Sequence, residues 1–318
     1  MNWFKVSAAA LALFLISYLP VDGAARQDNV ADVGPRAVGS FPVRLPGGEA
    51  IEVFTYRAAG HGPEDPVILV LPGGGRNGAD YRDSWIAAAD KHRLLVLAPA
   101  FDEAQFPGPI NYNLAGMIAG DADVASLRDV EITPRRTWLF SDLDAIFEAA
   151  VRRFGSRQRQ YDLFGHSAGG QIIHRMMLAA PSPRVRTAIA ANSGWYTTPA
   201  PEIPFPYGLS GLPLTSQQLR TAFSGDLVIF LGAQDNAEEA RGHLRQTEET
   251  AAQGPHRLAR GRRFHALAQK EAARRGFPFK WRLHIVPGVG HDYRAMGEAA
   301  ADFLYSDRTA RPTSSPGS

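Results

Sequence analysis

The strongest constraint on the fold is a series of short, uninterrupted apolar runs separated by longer helix-like stretches. Residues 67–71, 94–98, 161–164, 187–191, 227–231 and 281–286 form the runs, most of them with β-branched residues. Residues 81–91, 137–153, 170–180 and 256–275 are among the helix-like stretches between them. A strand with one wet face alternates apolar and polar residues, whereas a continuous apolar run implies burial on both faces, as in a parallel sheet covered by helices. Two alternating runs come first, 41–45 and 50–57, separated by Pro46-Gly47-Gly48. That is a hairpin signal. The expectation is an α/β fold: an eight-stranded, mostly parallel sheet with helices on both faces.

The chain has 318 residues and no cysteine. A chain of this length can stabilise itself by core burial without disulfides, and the missing thiols exclude cysteine nucleophiles and thiolate metal sites. A net charge of +2 provides no electrostatic footprint for nucleic acid. Arg257, Arg260, Arg262 and Arg263 share a helix-like stretch with Leu258, Phe264 and Leu267. They read as a solvated helix face.

The first 25 residues carry Lys5, an apolar stretch at 6–19, Pro20 and then Gly23-Ala24-Ala25. This is the order of a secretory signal peptide, with cleavage after Ala25. Fourteen residues span roughly 21 Å as a helix, short of the roughly 30 Å hydrocarbon core. The expected organisation is a signal peptide at 1–25, an N-terminal arm at 26–40, a catalytic domain at 41–306 and a disordered tail at 307–318. The mature protein is expected to be secreted or periplasmic, with no stable membrane anchor.

Residues 161–164 lead into Gly165-His166-Ser167-Ala168-Gly169-Gly170 and then into a helix-like segment. Strand, G-x-S-x-G, helix is a nucleophile elbow. Small residues flank the serine because so sharp a turn leaves no room for side chains, and Ser167 is thereby exposed above the sheet. Neither the spacing and lysine of a phosphate loop nor a G-x-G-x-x-G fingerprint is present.

Over about residues 41–305 the chain resembles the α/β-hydrolase superfamily. Within it the chain resembles secreted esterases of the polyhydroxyalkanoate-depolymerase and feruloyl-esterase kind, although many of those contain disulfides. The resemblance implies a base in the loop after the last strand, and His291 lies there, in Pro287-Gly288-Val289-Gly290-His291. His166 should leave the elbow in another direction, His174 reads as a packed helix residue, and His284 is inside a strand. Asp235 closes Gly232-Ala233-Gln234-Asp235 after the 227–231 strand, which satisfies the order Ser, Asp, His. Its other reading is a helix N-cap before Ala237-Glu238-Glu239-Ala240. Glu238 and Glu239 are alternative acids, while Asp292 adjoins the base without being placed to orient it.

An oxyanion hole should use the backbone N–H of Ala168 and one from Pro72-Gly73-Gly74-Gly75, which resembles the HGGG-type loop with Pro72 in place of histidine. Gly73 and Gly74 are both candidates. Trp195, Tyr196, Phe205 and Tyr207, held among prolines, are candidates for an apolar substrate surface. No zinc or calcium ligand spacing occurs, and the expected chemistry needs no cofactor. The expected activity is hydrolysis of a small-molecule or polymeric carboxylic ester through an acyl-enzyme. A serine peptidase or other acyl transferase on the same fold, or a catalytically silent binding protein, are the alternatives.

Overall fold

The structure, a computed structural model, describes residues 37–120, 127 and 130–309. The predicted signal peptide lies outside the described residues. One sheet contains β1 (Ala37–Arg44), β2 (Ala50–Arg57), β3 (Val67–Leu71), β4 (Leu95–Pro99), β5 (Tyr161–His166), β6 (Val185–Ala191), β7 (Leu227–Gly232) and β8 (Arg282–Val286). Their spatial order is β1-β2-β4-β3-β5-β6-β7-β8. The pairs β1/β2 and β2/β4 are antiparallel, and all the others are parallel.

The helices are α1 (Gly78–Ser84), α2 (Ile86–His92), α3 (Gly108–Asn111), α4 (Phe140–Phe154), α5 (Ala168–Ala179), α6 (Ser216–Ser224), α7 (Glu248–Ala251), α8 (Arg257–Arg275) and α9 (Tyr293–Thr309). Because strand side chains alternate between faces, each continuous apolar run feeds two cores. Leu69, Leu71, Leu97 and Leu163 pack with Phe147 of α4, Ile172 of α5 and Phe264 of α8. Ile68, Val70, Val96 and Phe164 pack on the other side with Trp85, Ala89 of α2 and Met296 and Ala300 of α9. This is the eight-stranded, mostly parallel sheet that the apolar runs imply, in the α/β-hydrolase fold that the resemblance implies.

Three boundaries differ from the sequence reading. β1 starts at Ala37, inside the expected arm, because all eight residues of β2 find a partner, from Ala37↔Arg57 to Arg44↔Ala50. The single helix expected at 81–91 is divided at Trp85, whose fully buried ring meets Phe164 edge-on at 5.1 Å. α9 runs on to Thr309, past the expected domain end at 306. Helix α6 was not foreseen, although its capping box, Thr215 with Gln218, is a readable T-x-x-Q signal.

A parallel sheet sends the loops that follow its strands to one edge. The segments after β3, β5, β7 and β8 therefore converge, and they carry Gly73–Gly74, Ser167, Asp235 and His291.

Candidate active site

Ser167 connects β5 to α5 with φ 56° and ψ −111°, a conformation that costs a non-glycine residue about 1–3 kcal/mol. The surrounding backbone holds it there: Ser167 N–H donates to the Ala191 carbonyl at 2.9 Å, and the Ser167 carbonyl accepts from Gln171 at 3.1 Å. A Cβ on Gly165 would lie 2.5 Å from the backbone of Gly169, so only glycine permits the turn. Ala168 is the first residue of α5, and its N–H has no partner within the helix. Among the described residues Ser167 Oγ makes no hydrogen bond.

The loop after β3 lies against this elbow. A Cβ on Gly73 would be 3.5 Å from Ser167 Cβ. Tyr81 of α1 contacts His166 Nδ1 through its hydroxyl at 3.1 Å, and a Cβ on Gly73 would lie 3.1 Å from the same hydroxyl. Neither the Gly73 nor the Gly74 amide donates a hydrogen bond to a backbone acceptor among the described residues. Burial raises the Tyr81 phenol and draws the His166 imidazole well below its ordinary range, so this pair is neutral. The His166 ring leaves the elbow sideways and lies 4.5 Å from the His291 ring, centroid to centroid.

Asp235 and His291 come from separate loops that Asn192 clamps together. Its amide donates to the Gly290 carbonyl at 2.9 Å, and its oxygen accepts from Gly232 N–H at 2.8 Å. His291 Nδ1 meets Asp235 Oδ2 at 2.8 Å, with the two residues 9% and 1% exposed. A carboxylate on Nδ1 fixes the proton there and leaves Nε2 as the acceptor. The other oxygen, Oδ1, accepts from Arg257 Nη1 at 3.2 Å.

The remaining acids have other partners. Glu239 accepts from the His291 backbone N–H at 2.5 Å, so it fixes the histidine's main chain rather than its ring. Hydrogen bonds from Arg241 hold the Glu239 carboxyl down at about 2. Asp292 accepts from Arg294 and Ala295 N–H at the start of α9 and pairs with Arg241 at 3.0 Å. Glu238 is exposed. Residues 237–238 form a turn and 239–240 no regular element, so Asp235 caps no helix there.

Ser167, Ala168, Gly73, Gly74 and His291 all line one cavity of 690 Å³. Ser167 and His291 face it without a hydrogen bond between them. His174 bonds the Gly170 carbonyl and Thr197 N–H, and His284 stacks on Phe230 at 4.8 Å, both outside this lining. Among the described residues no three His, Asp or Glu side chains gather as a metal cluster.

No family model matches the chain, and no curated protein does. Solved structures do. A poly(3-hydroxybutyrate) depolymerase from Bordetella parapertussis is 35% identical, with 90% of this chain and 95% of that one covered and a TM-score of 0.79. Poly(aspartic acid) hydrolase-1 from Sphingomonas sp. KT-1 is 32% identical over 84% of this chain and 98% of that one, with a TM-score of 0.77. The chain belongs to the α/β-hydrolase superfamily of esterases and depolymerases. An S-formylglutathione hydrolase from Agrobacterium tumefaciens, 13% identical over 85% of this chain and 94% of that one with a TM-score of 0.52, shares the fold alone.

In this hydrolase the four aromatic candidates part company. Trp195 lines the cavity. Tyr196 is buried instead, stacked on Phe264 at 4.5 Å, and Phe205 lies in the core with 3% exposure. Tyr207 is tilted against Trp195 at 5.0 Å, with its hydroxyl held by Arg245. Tyr196 and Phe205 are therefore core cover rather than substrate platform, Tyr196 because its ring finds Phe264 on α8.

The basic run also divides. Arg262 and Arg263 are exposed, but Arg257 and Arg260 are 2% and 0% exposed. The solvated-face reading is corrected for those two. They point inward because irregular backbone nearby offers carbonyls: Gly242 and His243 for Arg257, Gly194, Arg245 and Gly254 for Arg260. Arg257 thereby fastens residues 241–243 over His291. A Cβ on Gly242, where φ is +69°, would lie 2.8 Å from the imidazole. Sequence reasoning missed this strap, Asn192 and Tyr81.

Proposed function

We propose that the chain is a serine hydrolase that cleaves carboxylic esters through an acyl-enzyme. Ser167 Oγ attacks the carbonyl carbon while His291 Nε2 takes its proton, and Asp235 keeps the imidazole in the accepting tautomer and stabilises the imidazolium. The amide of Ala168 and that of Gly73 or Gly74 receive the developing oxyanion. His291 then protonates the departing alcohol. Water, deprotonated in turn by His291, releases the acid and restores Ser167.

One observation carries this reading. A buried carboxylate–imidazole pair 2.8 Å apart opens onto the same cavity as a serine held at positive φ. The missing serine–histidine hydrogen bond does not weigh against it, since such contacts are often long without substrate and tighten in the complex. Two relatives above 30% identity are described as acting on polymers, one a polyester and one a poly(amino acid). A polymeric or oligomeric ester is accordingly the proposed substrate class, with amide hydrolysis as the second reading on the strength of the poly(aspartic acid) hydrolase. We also propose that residues 1–25 direct export and are removed after Ala25. Among the described residues no helix is long and apolar enough to cross a membrane.

The test is turnover of short p-nitrophenyl esters. Ser167→Ala should lower kcat by about 10⁶-fold. Equal turnover by both proteins would refute the assignment, and sequencing the N-terminus of exported protein checks the cleavage site.

A further inference from the structure

The arginines around the cavity fall into two groups. Arg76 pairs with Glu103 at 3.1 Å, Arg241 with Glu239 at 2.8 Å and Asp292 at 3.0 Å, and Arg257 with Asp235 at 3.2 Å. Arg175, Arg245 and Arg260 form no ion pair with any carboxylate among the described residues. All three meet the same stretch of wall. Arg175 lies over the Trp195 ring at 4.2 Å, and Arg245 lies 5.9 Å from the same ring. Arg260 Nη1 donates to the carbonyls of Gly194 at 2.7 Å and Arg245 at 3.0 Å.

Buried charges are ordinarily paired, because an uncompensated one in a low-dielectric setting is costly. Here the groups that accept their hydrogen bonds are neutral. Arg175 is 1% exposed and bonds only to Thr197 Oγ1, the Asn113 and Gln171 carbonyls and, weakly, the Gln171 amide oxygen, while its Nη2 has no partner. Burial draws its guanidinium down to about 9 and that of Arg260 to about 10, so both remain cationic at neutral pH. Arg245 spends Nε and Nη2 on the Tyr207 hydroxyl, at 3.2 and 2.9 Å, and its Nη1 donates to nothing among the described residues. Of the three, Arg245 lines the cavity itself. Among the described residues that line the cavity, the only carboxylate is Glu103, which Arg76 already occupies.

We infer that the cavity takes a substrate bearing a carboxylate, seated on Arg245 beside Trp195, with Arg175 and Arg260 supplying the field behind it. The missing counter-charge arrives with the ligand. A guanidinium with an open donor suits a carboxylate, and the apolar Trp195 face accommodates the short carbon chain that joins the charge to the scissile bond. The inference names the substrate class of the proposed hydrolase, so it rests on that reading for the bond that is cut, but not for the binding.

The test therefore reads binding apart from turnover. Calorimetry on the Ser167→Ala protein would compare monomethyl glutarate, charged in the acyl part, and 4-acetoxybutanoate, charged in the alcohol part, each with its fully methylated neutral ester. At least one anion should bind about tenfold or more tightly than its neutral partner, and added salt should shrink the ratio. Arg245→Gln in that background should bring the ratio to within about threefold, and Arg245→Lys, which keeps the charge, should retain most of it. If neither anion is preferred, or if the preference survives Arg245→Gln, the inference is overturned. Loss of the serine-hydrolase reading would show separately, as wild-type turnover that Ser167→Ala leaves unchanged.

Discussion

The two sides of the cavity are built by different means. On the side of β5 and α5, Ser167 is held by backbone: a strained φ, two main-chain hydrogen bonds and glycines that admit no Cβ. On the side of β7 and β8, His291 and Asp235 are held by side chains: Asn192 joins the loops, Arg257 fastens the strap to Asp235, and Glu239 grips the His291 main chain. Backbone geometry of the first kind follows from local sterics. Geometry of the second kind depends on charges brought together from residues 192 to 291, and it should be the softer half.

The difference can be broken at its strongest point with Asp235→Asn. Losing the carboxylate on Nδ1 frees the wrong tautomer, and kcat should fall by about 10⁴-fold while the fold survives. A fall of less than tenfold, with circular dichroism unchanged, would mean that the acid lies elsewhere. Arg257→Met should act less on rate and more on stability. It leaves the Asp235–His291 pair in place but releases the strap, so activity should drop by about 10²-fold through misplacement. Breaking the buried ionic contact should cost about 3–5 kcal/mol, seen as a lower Tm in calorimetry. The comparison fails if Arg257→Met has no effect on either.

The smallest effect separates a carboxylate with partners from one without. Glu239, held at about 2 by Arg241, contributes stability that is complete above its unfolded value near 4.5 and is lost only as pH falls towards about 2. Asp142 of α4 has no hydrogen-bonded partner for its carboxyl among the described residues, and burial, with the nearby Glu49 charge, pushes it up to about 7. Folding favours its neutral form, so its ionisation costs stability progressively as pH rises from about 3.8 to about 7. Asp142→Asn should therefore raise Tm at pH 8 by several degrees, at roughly 2–4 °C per kcal/mol, and leave Tm at pH 4 unchanged. An equal gain at both pH values would remove ionisation as the cause.

What the sequence made readable follows the same division. The strands and the elbow were legible because continuous apolar runs and G-x-S-x-G report sterics local to a few residues, whereas the spatial order of the strands was not read from the sequence. Asp235 and His291 were legible as strand-end residues in the right chain order. The strap was not, since Ala237-Glu238-Glu239-Ala240 carries a helical pattern, while the Glu239 charge is in fact spent on Arg241 and on the His291 main chain. Arg257 and Arg260 were misread because a helical basic run is ordinarily solvated, and nothing local announces the carbonyls waiting beneath it. Tyr196 and Phe205 were misplaced for the same reason, as the apolar surface they cover lies far away in the sequence.

The most direct measurement is the site and rate of covalent labelling by a fluorophosphonate, mapped by mass spectrometry in wild type and in His291→Ala. One adduct per chain on Ser167, formed at least about 10³-fold more slowly without the imidazole, is the expected result. An adduct on another residue, or equal labelling rates in the two proteins, would contradict the assignment of nucleophile and base.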